Sequence, residues 1–223
     1  MAARGVVFDA YGTLLDVNSA MARHAARLGP DWPAMSAAWR AKQLEYSWIR
    51  SLAGPGHHRD FAVLTDAALN FVAARFGVTD PELLADLRQA YRQLSAYPEV
   101  TACLRAIRAN GVPTAILSNG SPDMLAKAVR AAGIELLLNE VLSVEKVGIF
   151  KPDPRVYRLA IDKMGRDASK IVFVSSNAWD AFGAHNAGMR VVWCNRSGQP
   201  DEYGLRAHAT ELHELSTLPG VVA

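Results

Sequence analysis

The sequence lacks the features that mark secreted, membrane-spanning and nucleic-acid-binding proteins. It has only two cysteines in 223 residues, and its formal net charge is +2. No apolar run approaches the roughly 18 residues that cross a bilayer, and no basic leader precedes the first apolar stretch. These absences argue against a disulfide-built fold and a basic nucleic-acid surface. They predict a cytoplasmic protein that binds neither membrane nor nucleic acid.

Metal-ligand spacing is also missing. Cys103 and Cys194 lie in apolar surroundings without a Cys-x-x-Cys pattern, which is typical of small buried side chains. His57 and His58 belong to the glycine- and proline-rich stretch AGPGHH and have no paired ligand nearby in the sequence. We therefore expect both histidines on a surface loop and predict no metal site.

The length and composition of the chain predict one globular core with at most one insertion. Half of the residues are apolar and 21% are charged, and 223 residues is below the length at which single cores stop growing. A short apolar run at 5–8 has strand length. Apolar spacings of three and four then predict helices over 18–28, 34–52, 60–76 and 81–95.

After Pro98 the pattern alternates between helix and strand. Helices are predicted over 99–110, 122–132, 154–165 and 179–187, and strands over 112–117, 140–144, 170–174 and 190–194. Such alternation is typical of parallel strands joined by right-handed crossovers. The sequence therefore predicts a Rossmann-like, doubly wound α/β core over 1–16 and 98–223, with a helical cap domain inserted over 17–97.

The predicted sheet selects candidate site residues before any motif is considered. Ligands bind beyond the carboxyl ends of the strands in open parallel sheets, where this chain has Asp9, Ser118, Asn119, Lys151 and the run 175–177. Asp9 alone could merely cap a turn. A lysine in the same crevice would keep it ionised, and an oriented carboxylate is a possible covalent nucleophile.

Arg40 is unusual because it shares a helix face with two apolar residues. Leu44 and Trp48 follow it at spacings of four, so a guanidinium stands on an apolar stripe and needs a partner. One interpretation is an arginine that extends its charge to the surface at the edge of the stripe. The other is an anion site that faces the crevice.

Four segments resemble the signature regions of the haloacid dehalogenase superfamily, and more narrowly those of its type II L-2-haloacid dehalogenases. They are FDAYGTL, LSNG, KPDPRVY and SSNAWD. FDxxGTL and KPxP are general superfamily features, whereas SSNAWD and the tyrosine of DAY are narrower. The resemblance extends through essentially the whole chain and includes the helical insertion.

The chain departs from the phosphatases of that superfamily at two positions. Most members are magnesium-dependent phosphatases with an acid two residues after the nucleophile, where this chain has Tyr11. A second acid, four residues before the last aspartate of the fourth region, helps to bind the metal, and here that position is Ser176. A halide leaves as a stable anion and needs no proton donor, so Tyr11 is compatible with dehalogenation.

The resemblance implies a hydrolase that converts short-chain L-2-haloalkanoic acids to D-2-hydroxyalkanoic acids with inversion, without a metal or other cofactor. Asp9 would form an ester with the substrate and Asp180 would act as general base. Catalytic roles are implied for Asp9, Thr13, Lys151, Tyr157, Ser175, Asn177 and Asp180. Substrate and halide contacts are implied for Tyr11, Arg40, Leu44, Phe61, Ser118, Asn119 and Trp179.

Two other functions fit the sequence less well. A superfamily phosphatase with an altered acid would release phosphate in the presence of magnesium, and a binding protein with this fold would bind ligands without turnover. The complete set of implied catalytic residues argues against the binding protein. The expected partner is a small 2-haloacid, and the habit of the family implies a homodimer.

Overall fold

A computed structural model describes residues 3–223, in which eight strands form two sheets. The strands are β1 (Gly5–Phe8), β2 (Leu15–Asp16), β3 (Ser95–Ala96), β4 (Thr114–Ser118), β5 (Glu140–Ser143), β6 (Ile171–Ser175), β7 (Arg190–Cys194) and β8 (Ala209–Leu212). The α-helices are α1 (Ser19–Ala22), α2 (Ala25–Leu28), α3 (Trp32–Leu52), α4 (Phe61–Phe76), α5 (Pro81–Tyr91), α6 (Val100–Ala109), α7 (Pro122–Ala131), α8 (Pro154–Met164), α9 (Ala178–Asn186) and α10 (Leu218–Val222).

The larger sheet has six parallel strands in the order β5-β4-β1-β6-β7-β8. Val6, Val7 and Phe8 of β1 are fully buried, as expected for a strand covered on both faces. The chain builds the sheet outward from β1, first through β4 and β5 on one side and then through β6, β7 and β8 on the other. This order confirms the predicted doubly wound α/β fold, and β1 lies at its switch point.

A second, two-stranded sheet lies where the chain leaves the larger sheet and returns to it. β2 and β3 pair antiparallel, with Leu15 opposite Ala96, and the Tyr97 N–H donates to Leu14 O at 3.1 Å. The sequence-based helix over 81–95 is therefore wrong at its end, because α5 stops at Tyr91. The backbone groups of β3 bond to β2 instead of continuing the helix.

Five helices, α1 to α5, lie between β2 and β3 in the chain. Helix α4 matches the predicted segment 60–76: the Asp60 carboxylate caps its start by accepting from Ala62 N at 2.6 Å, and Gly77 ends it at φ 73°. The predicted helix over 18–28 is instead two short helices, because His24 leaves helical geometry at φ −114° and ψ 17°. No helix within residues 3–223 is long and apolar enough to span a membrane.

The last part of the chain adds elements that the sequence did not predict. Strand β8 pairs with the outer edge of β7, and α10 packs on α6. Both are short, and β8 (ATEL) is only partly buried, so neither produces a clear apolar periodicity.

Both cysteines are buried thiols, as their surroundings predict. Cys103 lies on α6 and Cys194 ends β7, and neither forms a disulfide. Burial raises the pKa of the Cys103 thiol to about 12. It is therefore protonated at neutral pH and acts as a small apolar side chain.

We predict that Leu69→Ala destabilises the protein by about 2–5 kcal/mol, because Leu69 of α4 is fully buried and its truncation leaves a cavity. Urea unfolding followed by circular dichroism measures the change. Val63→Ala on the same helix is the matched control, since Val63 is 53% exposed, and it should change stability by no more than about 0.5 kcal/mol. Equal effects of the two substitutions would contradict the packing of α4.

Candidate active site

The carboxyl ends of the central strands bring the candidate polar residues together. Asp9 follows β1, Asn119 follows β4, Ser175 ends β6, and Lys151 lies in the loop after β5. The Lys151 Nζ is 3.1 Å from Asp9 Oδ1, although 142 residues separate them in the chain. The switch point at β1 is therefore a compact polar site, as the strand-end rule predicts.

Both oxygens of Asp9 accept hydrogen bonds in a nearly closed environment. Oδ1 accepts from Lys151 Nζ, while Oδ2 accepts from Asn177 Nδ2 at 2.7 Å and from Thr13 Oγ1 at 3.2 Å. Asp9 is only 5% exposed. These donors orient the carboxylate and stabilise its negative charge.

The turn after Asp9 returns Thr13 to the carboxylate. Gly12 has φ 88°, a left-handed conformation that strains other residues, and its N–H donates to Leu15 O at 2.8 Å. The Thr13 hydroxyl also accepts from Ser176 N at 2.8 Å. Thr13 therefore connects the end of β1 to the end of β6.

Lys151 forms ion pairs with two buried carboxylates. Its Nζ lies 3.1 Å from Asp9 Oδ1 and 2.9 Å from Asp180 Oδ2, and the lysine and Asp180 side chains are fully buried. Asn119 Oδ1 accepts from Lys151 N at 3.0 Å, and the Lys151–Pro152 peptide is cis. With water excluded, attraction among these charges is only weakly screened.

Asp180 lies in the first turn of α9, where the helix dipole favours a negative charge. Its Oδ1 accepts from Tyr157 Oη at 2.7 Å and its Oδ2 accepts from Ser175 Oγ at 3.1 Å. Burial raises the pKa of Asp180 to about 6, although Lys151 acts in the opposite direction. Such a carboxylate is ionised at neutral pH and can accept a proton.

Tyr157 is held in the first turn of α8. Asp153 caps the helix by accepting from Arg155 N at 2.9 Å, and Pro154 is its first residue. Burial and the nearby Asp180 charge raise the Tyr157 pKa well above its usual value. Tyr157 therefore donates to Asp180 at neutral pH.

Aromatic rings pack around the side of the site nearest the inserted helices. The Tyr11 ring stacks on Tyr91 at 5.7 Å between centroids and lies 6.2 Å from Phe61, whose ring is 5.9 Å from Phe150. Burial raises the pKa of Tyr11 far above its usual value. Its hydroxyl is buried without a hydrogen-bond partner among residues 3–223, so Tyr11 is a poor proton donor.

Arg40 reaches the strand-end cluster through the backbone beside Asp9. Its Nη2 donates to Tyr11 O at 3.4 Å, and the side chain is half-buried on α3. Leu44 and Trp48 follow on the same half-buried face, and the Trp48 ring meets Trp179 edge-on at 5.4 Å. The face identified from sequence therefore borders the site, but Leu44 is linked to it only by its place on this face.

The most buried face of α3 differs from the apolar stripe that the sequence suggested. It contains Trp39, Gln43 and Ser47, each one residue before a member of the stripe. The Gln43 amide donates to Thr65 Oγ1 at 3.2 Å and accepts from Tyr91 Oη at 3.0 Å. These bonds satisfy a polar side chain inside the core, which apolar periodicity could not predict.

Ser118 ends β4 and Asn119 follows it. Ser118 is fully buried and its Oγ accepts from Gly120 N at 3.1 Å, while Ser143 Oγ donates to Gly120 O at 2.7 Å. The ends of β4 and β5 are therefore tied together by this hydrogen bond.

Two residues near the site were missed or misjudged from the sequence. His57 is exposed as predicted, but His58 is half-buried, lies 3.0 Å from Glu145 Oε2 and packs on the Phe150 ring at 4.8 Å. Arg196 donates to Thr13 O at 2.8 Å. Neither contact has a local sequence signal, because the paired residues are far apart in the chain.

Comparison with known proteins matches this arrangement to one family. The sequence profile of the haloacid dehalogenase-like hydrolases matches residues 3–188. This chain belongs to that family. The (S)-2-haloacid dehalogenase 1 of Pseudomonas sp. (strain CBS-3) is 46% identical over 217 residues, which cover 97% of this chain and 95% of that protein. The resemblance found in the sequence is thereby confirmed.

Solved structures of dehalogenases have the same fold over their whole length. A dehalogenase with an intermediate complex superposes with a TM-score of 0.96 at 42% identity, covering 100% of this chain and 98% of that one. The L-2-haloacid dehalogenase from Xanthobacter autotrophicus with chloropropionic acid covalently bound has a TM-score of 0.89 at 34% identity, covering 99% and 98%.

We predict that Gly183→Ala destabilises the protein by about 1–3 kcal/mol, because an added methyl on α9 would overlap the Tyr157 hydroxyl and ring. Urea unfolding measures the change, with Gly220→Ala as the control, since an added methyl there meets open space.

The Gly183→Ala/Tyr157→Phe double variant tests the cause. Removing the overlapping hydroxyl should make the double variant more stable than the sum of the two single effects predicts. Strict additivity would contradict the close approach of α8 and α9.

Proposed function

We propose that this chain hydrolyses the carbon–halogen bond of short-chain L-2-haloalkanoic acids and releases D-2-hydroxyalkanoic acids, through an ester formed on Asp9. The principal observation in support is that Lys151 joins Asp9 to a second buried carboxylate, Asp180. One carboxylate can act as nucleophile and the other as base. Relatives that bear the name (S)-2-haloacid dehalogenase over nearly the whole chain support the same substrate class.

In the first step, a carboxylate oxygen of Asp9 attacks C2 of the substrate from the side opposite the halogen. The new C–O bond forms as the carbon–halogen bond breaks, the electron pair leaves with the halide, and C2 is inverted. Lys151, Thr13 and Asn177 hold the attacking group in one orientation, which lowers the entropic part of the barrier. The covalently bound chloropropionic acid in the Xanthobacter relative supports an intermediate of this kind.

In the second step, water attacks the Asp9 carbonyl carbon and not C2. Asp180 takes one proton of that water, and the bond between the Asp9 carbonyl carbon and the ester oxygen breaks. The leaving alkoxide takes the proton back from Asp180 to give the 2-hydroxy acid, and Asp9 releases the other proton of the water to return as a carboxylate. The pKa of Asp180, raised to about 6, suits a base that works near neutral pH. Tyr157 and Ser175 orient Asp180, and Lys151 remains to balance its charge.

Halide and substrate carboxylate require separate anion sites. We assign the halide to the Arg40 guanidinium and the Asn119 amide nitrogen, because Asn119 Oδ1 is already engaged by Lys151 N. Tyr11, Phe61 and Trp179, with Leu44, would form the apolar wall. The substrate carboxylate would lie at the end of β4, with Ser118 and the neighbouring backbone N–H groups as its donors.

The phosphatase alternative is less well supported by the site. Tyr11 replaces the acid that would protonate an alcohol leaving group, and its pKa lies too high for that task. Ser176 replaces a metal-binding acid. Within the described residues, no group of three or more His, Cys, Asp or Glu side chains is arranged to hold a metal ion.

We further propose that residues 17–97 act as a cap over a core of residues 1–16 and 98–223, of which Met1 and Ala2 lie outside the described part. Helices α1 to α5 all belong to this insertion. Its Phe61 and Tyr91 pack against Tyr11, which belongs to the core. Such contacts would keep bulk water away from the Asp9 ester.

The stereochemical test uses the two enantiomers of 2-chloropropionate with EDTA present. We expect halide release from the L form alone, with D-lactate as product, because attack opposite the halide inverts C2. Ion chromatography measures halide and chiral chromatography identifies the lactate. Asp9→Asn should lower turnover by at least about a thousandfold, since it removes the nucleophile.

Two results would contradict this function. L-Lactate from the L substrate would exclude a single displacement, and magnesium-dependent release of phosphate from phosphate esters, without halide release, would favour the phosphatase. A single turnover in heavy-oxygen water gives a further check. The first lactate should carry ordinary oxygen taken from Asp9, and the label should enter Asp9.

Asp180 should determine the acid limb of the pH profile. Its carboxylate must be ionised to accept a proton, so kcat should fall as pH is lowered from 8 through about 6. Asp180→Asn should release one equivalent of halide per site and then stop, because ester formation does not need the base. Rapid-quench measurements of halide and lactate separate the two steps.

The control for this prediction is Asp162→Asn, which removes an exposed carboxylate of α8 that pairs with Arg158. It should leave both steps and the pH profile unchanged. Equal slowing of halide and lactate release in Asp180→Asn would exclude Asp180 as the base of the second step.

A further inference from the structure

We infer that Arg196 is a positioning residue that joins the nucleophile loop, residues 9–15, to the point where the chain returns from the cap. The inference rests on the proposed function for its kinetic consequence, whereas the geometry stands by itself. Arg196 follows β7, outside every segment that resembles a family signature. Arg196 and Asp9 both bond to Thr13, Arg196 through the backbone carbonyl and Asp9 through the side-chain hydroxyl.

The first contact of Arg196 is with the nucleophile loop. Its Nη2 donates to Thr13 O at 2.8 Å, while the hydroxyl of the same threonine donates to Asp9 Oδ2 at 3.2 Å and accepts from Ser176 N at 2.8 Å. Thr13 is fully buried. A shift of its backbone would therefore also move the hydroxyl that orients the nucleophile.

The second and third contacts are with the return segment. Arg196 Nη1 lies 2.7 Å from Glu99 Oε1, at the start of α6, and the guanidinium carbon lies 3.7 Å from the centre of the Tyr97 ring. The Tyr97 N–H donates to Leu14 O at 3.1 Å, beside the β2–β3 pair. One side chain thus contacts both connections between core and cap.

These three contacts need the shape of a guanidinium. Its two terminal nitrogens bond in different directions while its flat face covers a ring, and an ammonium cannot do both. The Arg196 and Glu99 side chains are 16% and 15% exposed. Loss of either partner would leave the other charge without compensation in a position largely shielded from water.

The arrangement predicts that Arg196 acts on catalysis through Thr13 and not by contact with substrate. Displacing the loop would misplace Asp9 for attack on C2, and small misplacements of reacting groups reduce rates strongly. We expect Arg196→Ala to lower the first-turnover rate of halide release by about tenfold or more, with a smaller change in KM. Arg196→Lys should recover only part of this loss.

A double-mutant cycle with Thr13→Val distinguishes this role from general support of the fold. Thr13→Val removes the hydroxyl that links the loop to Asp9 while keeping the side-chain shape. Adding Arg196→Ala to it should then slow halide release by much less than Arg196→Ala slows the parent enzyme. Multiplication of the two separate effects in the double variant would overturn the proposed route through Thr13.

Hydrogen exchange gives a readout that does not depend on activity. In Arg196→Ala, the amides of residues 13–15, which bond to Ala10 O, and of residues 95–99 should exchange faster than in the parent protein. Arg206→Ala is the matched control, because it removes an arginine–glutamate pair with Glu211 nearby in the chain. Unchanged exchange in both segments of Arg196→Ala would overturn the inference.

Failure of the proposed function would be distinguishable from failure of this inference. If the parent protein releases no halide, the function is wrong, and exchange alone decides whether Arg196 positions the loop. If Arg196→Ala does not fold, Arg196→Lys and Glu99→Gln replace it. Faster exchange in residues 13–15 for Arg196→Lys and in residues 95–99 for Glu99→Gln would support the inference, and its absence would overturn it.

Discussion

One ammonium group shared by two buried carboxylates is the interaction on which the rest of the site depends. Lys151 lies within 3.1 Å of both Asp9 and Asp180, and none of the three side chains is more than 6% exposed. Removing one partner of a buried ion pair typically costs about 3–5 kcal/mol, because it leaves a charge uncompensated in a poorly polarisable environment. The lysine therefore makes it possible for two carboxylates to lie close together, and their different partners give them different environments. Asp9 is surrounded by donors that orient it, whereas Asp180 is buried deeply enough for its pKa to rise.

The parallel sheet explains how these residues meet. Strands β4 and β6 pair with β1 on either side, each about 4.8 Å from it, so short side chains at the ends of the three strands can reach a common point. Strand β5 lies two strands away from β1, roughly 10 Å across the sheet. Lys151 lies eight residues beyond the end of β5, and its N–H donates to Asn119 Oδ1 at 3.0 Å, so the loop brings its backbone to the end of β4. From there its ammonium reaches Asp9 after β1 and Asp180 at the start of α9.

The inserted helices contribute the apolar side of the same environment. Phe61 and Tyr91 pack around Tyr11, and Gln43 satisfies the Tyr91 hydroxyl inside the helical layer. These contacts bury Tyr11 and raise its pKa, so the residue that replaces the acid of related phosphatases is not a proton donor. Exclusion of water also strengthens the charge interactions of Lys151. The same packing is compatible with the proposed displacement of a leaving group that departs as a stable anion.

The sequence by itself determined the parallel α/β fold and the run of helices after its first strand, and it selected strand-end residues that the structure brings together. The alternation of helix and strand periodicities predicts the order of the main elements, and the strand-end rule selects Asp9 and Lys151. Both predictions use only the local pattern of residues along the chain. The tertiary structure alone decided the rest. The pairing of β2 with β3 involves two residues in each strand, which is too few to give a periodic signal. Gln43 within a buried helix face, His58 against Glu145, and Arg196 against Thr13 and Glu99 all join residues distant in the chain. The raised pKa of Asp180 likewise depends on burial by several elements, and burial becomes known only when those elements are packed together.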